Sequence, residues 1–247
     1  MRIIAIAIQK GGVGKTTTAA ALAQAAVFRG RSCLAIDLDP QNQLRYPLGA
    51  PGRKGNSYEL LRGDKMISKV IQTTKTGADM ITADRGLSTL KSGPGSARRL
   101  QAALEPVQDK YDYVVLDTPP TAGELQYNAL QAATDLIIPL QADLFSMQSL
   151  YDMVDTARQI QQSNKALKLT GFIFTAYDGR SLLARQMKGT IIDKAEALGV
   201  PYLGTIRAAV AIREAQALQK SLYEYAPKSK PAQDYLQLFD KIDLQGN

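Results

Sequence analysis

Apolar residues occur in short unbroken runs, separated by longer amphipathic or alanine-rich stretches. The runs mark strands at 2–8 (RIIAIAI), 32–37 (SCLAID), 78–82 (ADMIT), 112–117 (DYVVLD), 135–140 (DLIIPL), 168–175 (KLTGFIFT) and 202–206 (YLGTI). Helical spacing fills 15–28, 96–109, 123–133, 147–163, 181–198, 208–220 and 231–242. Several strands are apolar on both faces, as parallel strands covered by helices must be. The alternation predicts an α/β fold: a doubly wound, mostly parallel sheet with helices on both faces, binding ligands at the carboxyl ends of its strands. No internal repeat or Pro/Ser-rich linker interrupts the chain, so one domain over 1–247 is expected. The least regular segment, 42–75, contains "GAPGRKGN" and is expected to be a mobile excursion beside the site.

Composition narrows the chemistry. The 247 residues include no histidine and one cysteine, Cys33, in an apolar run. Ser-His or Cys-His catalysis and His-ligated zinc are therefore excluded, and a lone thiol builds no thiolate metal site. What is left is carboxylates, lysines, hydroxyls and backbone amides. Phosphoryl transfer suits that set because it depends on positioning and charge neutralisation. No apolar stretch approaches the roughly 18 residues of a membrane span, and no signal-peptide pattern opens the chain. A cytoplasmic location is expected.

The strand at 2–8 runs into "QKGGVGKTTT" (9–18), which opens the alanine-rich helix at 15–28. Strand, glycine loop, Lys-Thr and helix in that order are the context of a phosphate-binding loop. Gly11, Gly12 and Gly14, with Val13 among them, let backbone amides converge on phosphate oxygens, and the helix N-terminus adds its positive dipole end. Lys15 would bridge the β- and γ-phosphates of ATP, the Thr16 hydroxyl would ligate Mg²⁺, and Thr17 continues the binding loop. Asp117 ends the strand "DYVVLD" before Thr118, Pro119 and Pro120, and is the acidic partner for the metal. Asp37 and Asp39 follow the second strand in "DLDPQ". On extended backbone they face one side, where one would orient water and the other support the metal shell.

These motifs resemble the ParA/Soj branch of the deviant Walker A P-loop ATPases, relatives of MinD that partition plasmids and chromosomes. The resemblance rests on "KGGVGKTTT" (10–18), "DLDPQ" (37–41), "VVLDTPP" (114–120), "DLIIPLQAD" (135–143), "FTAYDGR" (174–180) and "YEYAPKSKPAQDYLQL" (223–238), in family order along the chain. It implies that Lys10 crosses a nucleotide-sandwich homodimer to the partner's ATP. It further implies that Asp39 activates water while Asp37 supports, and that Asp117 holds the magnesium position. Adenine contacts are expected from Thr175, Asp178 and the stretch after Ile206, including Arg207. Here the chain departs from the family: relatives carry a segment like "IPRNVRLSEA", whereas this chain has "TIRAAVAIREA" (205–215), with arginines at Arg207 and Arg213.

The net charge of +7 is confined to one region. Between Arg158 and Pro231 twelve Lys/Arg face five Asp/Glu, and the remainder of the chain is balanced. A basic segment of this kind suits a polyanion, and the resemblance implies nonspecific double-stranded DNA bound by the ATP dimer. Candidate contacts are Arg180, Arg185, Lys188, Arg207, Arg213 and Lys220. The expected role is a slow ATPase on the nucleoid, stimulated by a ParB-like centromere-binding partner. Rival readings are a positioning ATPase for protein cargo and a MinD-like membrane ATPase. The latter needs a basic amphipathic C-terminal helix, whereas 231–247 carries a net −2.

Overall fold

A computed structural model of the chain describes residues 1–52 and 54–244. Arg53 of the irregular segment and positions 245–247 of the acidic tail lie outside the described residues. The strands are β1 (Arg2–Ile6), β2 (Cys33–Asp37), β3 (Gln72–Thr73), β4 (Asp79–Ile81), β5 (Tyr113–Asp117), β6 (Asp135–Leu140), β7 (Lys168–Tyr177) and β8 (Tyr202–Arg207). They form one sheet in the order β3-β4-β2-β5-β1-β6-β7-β8, parallel except for β3, which pairs antiparallel with β4. The chain leaves β1 across β5 to β2 on one side and later returns to β6 on the other. That reversal opens a crevice at the carboxyl end of β1, where open α/β sheets take ligands. The doubly wound fold read from the apolar runs is the fold observed.

Helices are α1 (Lys15–Phe28), α2 (Arg45–Leu48), α3 (Ser57–Arg62), α4 (Ile67–Val70), α5 (Arg99–Leu104), α6 (Glu124–Ala132), α7 (Ser146–Ile160), α8 (Leu182–Ala197), α9 (Val210–Ala217), α10 (Leu222–Tyr225) and α11 (Lys230–Leu244). Strand alternation divides the core into two layers. Ile3 and Ala5 of β1 pack with Leu100, Leu130, Leu150 and Ile191 beneath α5–α8, and Ile4 and Ile6 pack with Leu22, Tyr235 and Phe239 beneath α1 and α11. The alanines of α1 let it lie close against the sheet, and α11 packs beside it on the same face, against β8. Burial on both sides leaves the amino end of α1 fixed beneath the crevice.

Segment 42–75 is not the irregular excursion expected from its composition. It contains α2, α3, α4 and β3, and it buries Leu44, Leu48, Leu60, Leu61, Ile67 and Val70. A capping box starts α3: the Asn56 side chain accepts from the Glu59 amide at 3.0 Å, and Glu59 accepts from the Asn56 amide at 3.1 Å. The expected helix at 96–109 is also divided. Two 3₁₀ turns flank α5, the second holding Pro106, which has no amide to donate.

Candidate functional site

The loop after β1 turns through left-handed backbone at Gly12 (φ 73°) and Gly14 (φ 83°), conformations that a side chain would strain. Gly14 then caps α1, whose first turn has no side-chain cap and no acidic residue. Its amides are thus unopposed by any local carboxylate, which makes the helix end an anion site. Lys15 is buried, and its ammonium donates to the Lys10 carbonyl at 2.7 Å. Burial lowers the Lys15 pKa, while nearby Asp117 and Asp39 pull it back up. A cation held short of water, with only a carbonyl to bind, is ready for an incoming phosphate.

Lys10 faces elsewhere. Its ammonium sits on both oxygens of Asp143, at 2.8 and 2.7 Å, with the Ser146 hydroxyl at 3.3 Å. Asp143 is anchored in turn, since its Oδ1 accepts from the Phe145 amide at 2.9 Å and the Ser146 amide at 3.0 Å at the start of α7. These contacts hold the Asp143 carboxyl below its usual range although partial burial opposes them. The first lysine of the loop is therefore engaged by the Asp143 turn that precedes α7.

Asp117 and Asp37 end adjacent strands in register. Both are fully buried, but their surroundings differ. Neither carboxylate oxygen of Asp117 has a well-formed hydrogen bond, although the Thr16 hydroxyl and the Thr118 amide lie close by. Burial pushes its pKa up to about 7; Asp39 adds to the rise, and the Thr16 hydroxyl and Lys15 oppose it. A buried carboxylate without a partner is costly unless a cation joins it. Asp37 is already satisfied, because its two oxygens accept from the Asp39 amide at 2.9 Å and the Leu44 amide at 3.0 Å. Burial and the neighbouring Asp117 still push its pKa well up.

The extended geometry expected to align Asp37 with Asp39 stops at Asp37, where β2 ends. Asp39 lies in the following turn, half-buried, with its Oδ1 accepting from the Gln41 amide at 2.9 Å. Asp37 shapes that turn and Asp39 occupies it. Among the described residues no three carboxylates or thiols converge as a metal cage. Magnesium needs none, since it usually takes one or two carboxylates and completes its shell with phosphate and water. Asp117 and Thr16 fit that requirement.

Beside the loop lies a cavity of about 490 Å³. Gly12, Val13, Gly14 and Thr17 form one wall, and Ile206, Val210 and Ile212 form much of the other. Thr175 closes the floor, its hydroxyl 2.7 Å from the Val13 carbonyl and 3.1 Å from that of Leu140. Ala176, also in the lining, has φ 49°, an uncommon conformation for a residue with a Cβ. Of the residues expected at the base, Thr175 lines this cavity and Asp178 and Arg207 do not. The Asp178 carboxylate takes the Arg180 guanidinium at 2.7 Å, which lowers its pKa to about 2. Arg207 is clamped by Asp234 at 2.6 and 2.9 Å.

The expected DNA contacts separate as well. Arg185 and Lys188 lie on α8 and Arg180 in the turn before it; Arg185 donates to the Gly179 carbonyl at 2.8 Å and Lys188 lies 4.9 Å from the Tyr177 ring centre. Lys220 is exposed after α9, whereas Arg213 belongs to the cavity lining. The roles of Asp143 and Gln141, which donates to the Gly12 carbonyl at 3.2 Å, escaped the sequence reading. Their signal was the "QAD" that closes the family-like motif at 135–143, directly after a strand that ends beside β1, with no role attached to it.

Comparison with known proteins agrees with this geometry. The AAA domain family AAA_31 matches residues 1–169. The sporulation initiation inhibitor protein Soj of Bacillus subtilis (strain 168) is 33% identical over 99% of both chains. The chromosome partitioning protein ParA of Caulobacter vibrioides (strain NA1000 / CB15N) is 35% identical over 98% of this chain and 94% of its own. Among solved structures, cobyrinic acid a,c-diamide synthase from Mycobacterium smegmatis, with bound ADP and magnesium, superposes with a TM-score of 0.84. It is 31% identical over 100% of this chain and 95% of that one. Matches that take in nearly every element of the sheet and its helices leave little outside them, and on that ground the chain belongs to the ParA/Soj family of partitioning ATPases.

Proposed function

We propose that this protein is a DNA-partition ATPase whose ATP-bound form is a sandwich homodimer that binds DNA without sequence preference. The observation that carries this reading is the pair of lysines in one loop. Lys15 is buried and bonded to the loop's own Lys10 carbonyl, whereas the Lys10 ammonium is held by Asp143. A second cation, paired with Asp143 and separate in its contacts from Lys15, supports a role toward a nucleotide held by another subunit.

The α1 amides and Lys15 take the β- and γ-phosphates of ATP, and the neighbouring cavity takes the base and sugar. Asp117 and Thr16 hold Mg²⁺, which when bound neutralises charge on the phosphates. Asp39 orients a water molecule, whose oxygen bonds to the γ-phosphorus as the bond to the ADP oxygen breaks, its surplus proton leaving with the released phosphate. Asp37 fixes the Asp39 turn through its two amide contacts. Loss of the γ-phosphate removes the anion that Lys10 reaches across the interface, so hydrolysis weakens the dimer. Arg180, Arg185, Lys188 and Lys220 supply sequence-independent phosphate contacts. A ParB-like partner carried by the cargo stimulates hydrolysis and so releases the dimer from nucleoid DNA, to which the protein returns once it has bound ATP again.

Three variants test the scheme. Lys15→Ala is expected to lose ATP binding in calorimetry. Asp39→Ala should bind ATP, dimerise and stay on DNA, with turnover reduced at least tenfold; normal turnover would remove Asp39 from water activation. Lys10→Ala should bind ATP as a monomer, and an unaltered ATP dimer in sedimentation would refute the crossing role.

A further inference from the structure

We propose that Arg213 is a nucleotide-binding residue that lays its guanidinium over the purine base, and that it does not contact DNA. The inference rests on the reading of the 490 Å³ cavity as the base end of an ATP site. Arg213 is the one charged residue in that lining among the described residues. It stands one helical turn after Val210, which also faces the cavity, so both project from the same side of α9.

The other arginines of the basic region are engaged. Arg180 is held by Asp178, Arg207 by Asp234, Arg185 by the Gly179 carbonyl, and Arg158 by the Leu198 carbonyl. Arg213 makes no hydrogen bond or ion pair among the described residues. Its neighbour Glu214 instead accepts from the Tyr225 hydroxyl at 3.1 Å.

The placement decides which part of a nucleotide Arg213 meets. Lys15, Thr16 and Asp117 are absent from the cavity lining, which touches the loop at Gly12, Val13, Gly14 and Thr17. Phosphates anchored at Lys15 therefore direct the base and sugar into this space, away from the metal side. The wall around Arg213 is apolar, with Ile206, Val210 and Ile212, and offers no carboxylate. A planar, weakly hydrated guanidinium in such a wall is suited to stacking on an aromatic face. The same lining gives no carboxylate to read a guanine edge, so stacking favours purines without choosing between them.

The experiment measures binding of ATP, ADP and inorganic tripolyphosphate to the full chain by calorimetry, for wild type, Arg213→Ala and Arg213→Lys. Arg213→Ala is expected to weaken ATP and ADP equally, by about five- to twentyfold. Arg213→Lys should recover only part of this, and tripolyphosphate, which has no base, should bind all three proteins alike. DNA affinity at saturating ATP should keep its salt dependence. Unchanged ATP and ADP affinity would overturn the proposal, most directly if the slope of log affinity against log salt fell by about one, the signature of a lost phosphate contact. A loss shared equally by tripolyphosphate would also overturn it. Undiminished ATP binding by Lys15→Ala would instead overturn the ATP-site reading beneath it.

Discussion

Asp117 shows most sharply what the site demands of a single side chain. The folded protein buries its carboxyl completely and leaves it without a well-formed hydrogen bond. Burial favours the protonated form, so the folded state keeps that proton up to about pH 7, while an unfolded chain releases it near pH 4. The contribution to stability is thus intact below about pH 4 and is lost as pH rises towards 7. Asp117→Asn should therefore stabilise the metal-free protein at pH 8 by roughly 1–3 kcal/mol and flatten its stability between pH 4 and 7. Magnesium-dependent hydrolysis should fall at least a hundredfold in the same variant. Urea melts at several pH values, paired with a phosphate-release assay, check both halves. A variant that loses stability would mean that the folded state favours the charged carboxylate.

The sequence made Lys15, Thr16 and Asp117 legible because each lies at a fixed offset from a strand end. It did not reveal Asp143 as the holder of Lys10, since the pair is 133 positions apart. Nor did it place Arg213, because a short helix after β8 gives charge and spacing but not the wall it faces.

Among the elements, α7 and the phosphate loop are joined through Asp143. Its Oδ1 caps the helix start while both oxygens hold Lys10. Asp143→Asn keeps an oxygen for the cap and removes the charge. If Lys10 must leave Asp143 to reach a second subunit, this variant should form the ATP dimer at about five- to tenfold lower protein concentration. Sedimentation across a concentration series measures it, and weaker dimerisation would show that Asp143 itself serves the interface.

Elements with long apolar runs were readable because burial on both faces leaves a continuous signal. Segment 42–75 was not, since its helices are one or two turns long and glycines punctuate them. The one readable cue there was the Asn56 and Glu59 capping box, a local rule that short-window composition hides.

The molecule as a whole is tied together at the end of the sheet opposite the site. Arg2 of β1 pairs with Asp135 of β6 at 2.7 Å, and Asp135 also accepts from Thr170 of β7 at 2.7 Å and from Thr134 at 2.7 Å. Arg2 further donates to the Ile242 carbonyl of α11, and Tyr113 to Asp243. Burial would raise the Asp135 carboxyl, but Arg2 and the two threonines hold it below its usual range. A lowered carboxyl adds stability above its unfolded pKa of about 4 and loses it as pH falls through the folded value. Asp135→Asn should cost about 3 kcal/mol at pH 7 and progressively less below pH 4.

The acidic C-terminal helix has a structural task as well. Its apolar face, with Tyr235, Leu238, Phe239 and Ile242, is buried on the protein's own core, and Asp240 pairs with Arg29 at 2.6 Å. Phe239→Ala is expected to cost about 3–5 kcal/mol in urea unfolding. The confinement of the +7 excess between Arg158 and Pro231 was visible in the sequence. Which of those charges are engaged by Asp178 and Asp234 required the fold.

Nucleotide-gated DNA binding is tested most directly by titrating the protein onto a labelled random-sequence duplex, with ATP or ADP and magnesium, at several salt concentrations. Binding should be at least tenfold tighter with ATP than with ADP, fall steeply with salt on a log–log plot, and vanish in Lys15→Ala and Lys10→Ala. Equal affinity with ATP and ADP, or no binding at low salt, would contradict the proposed function.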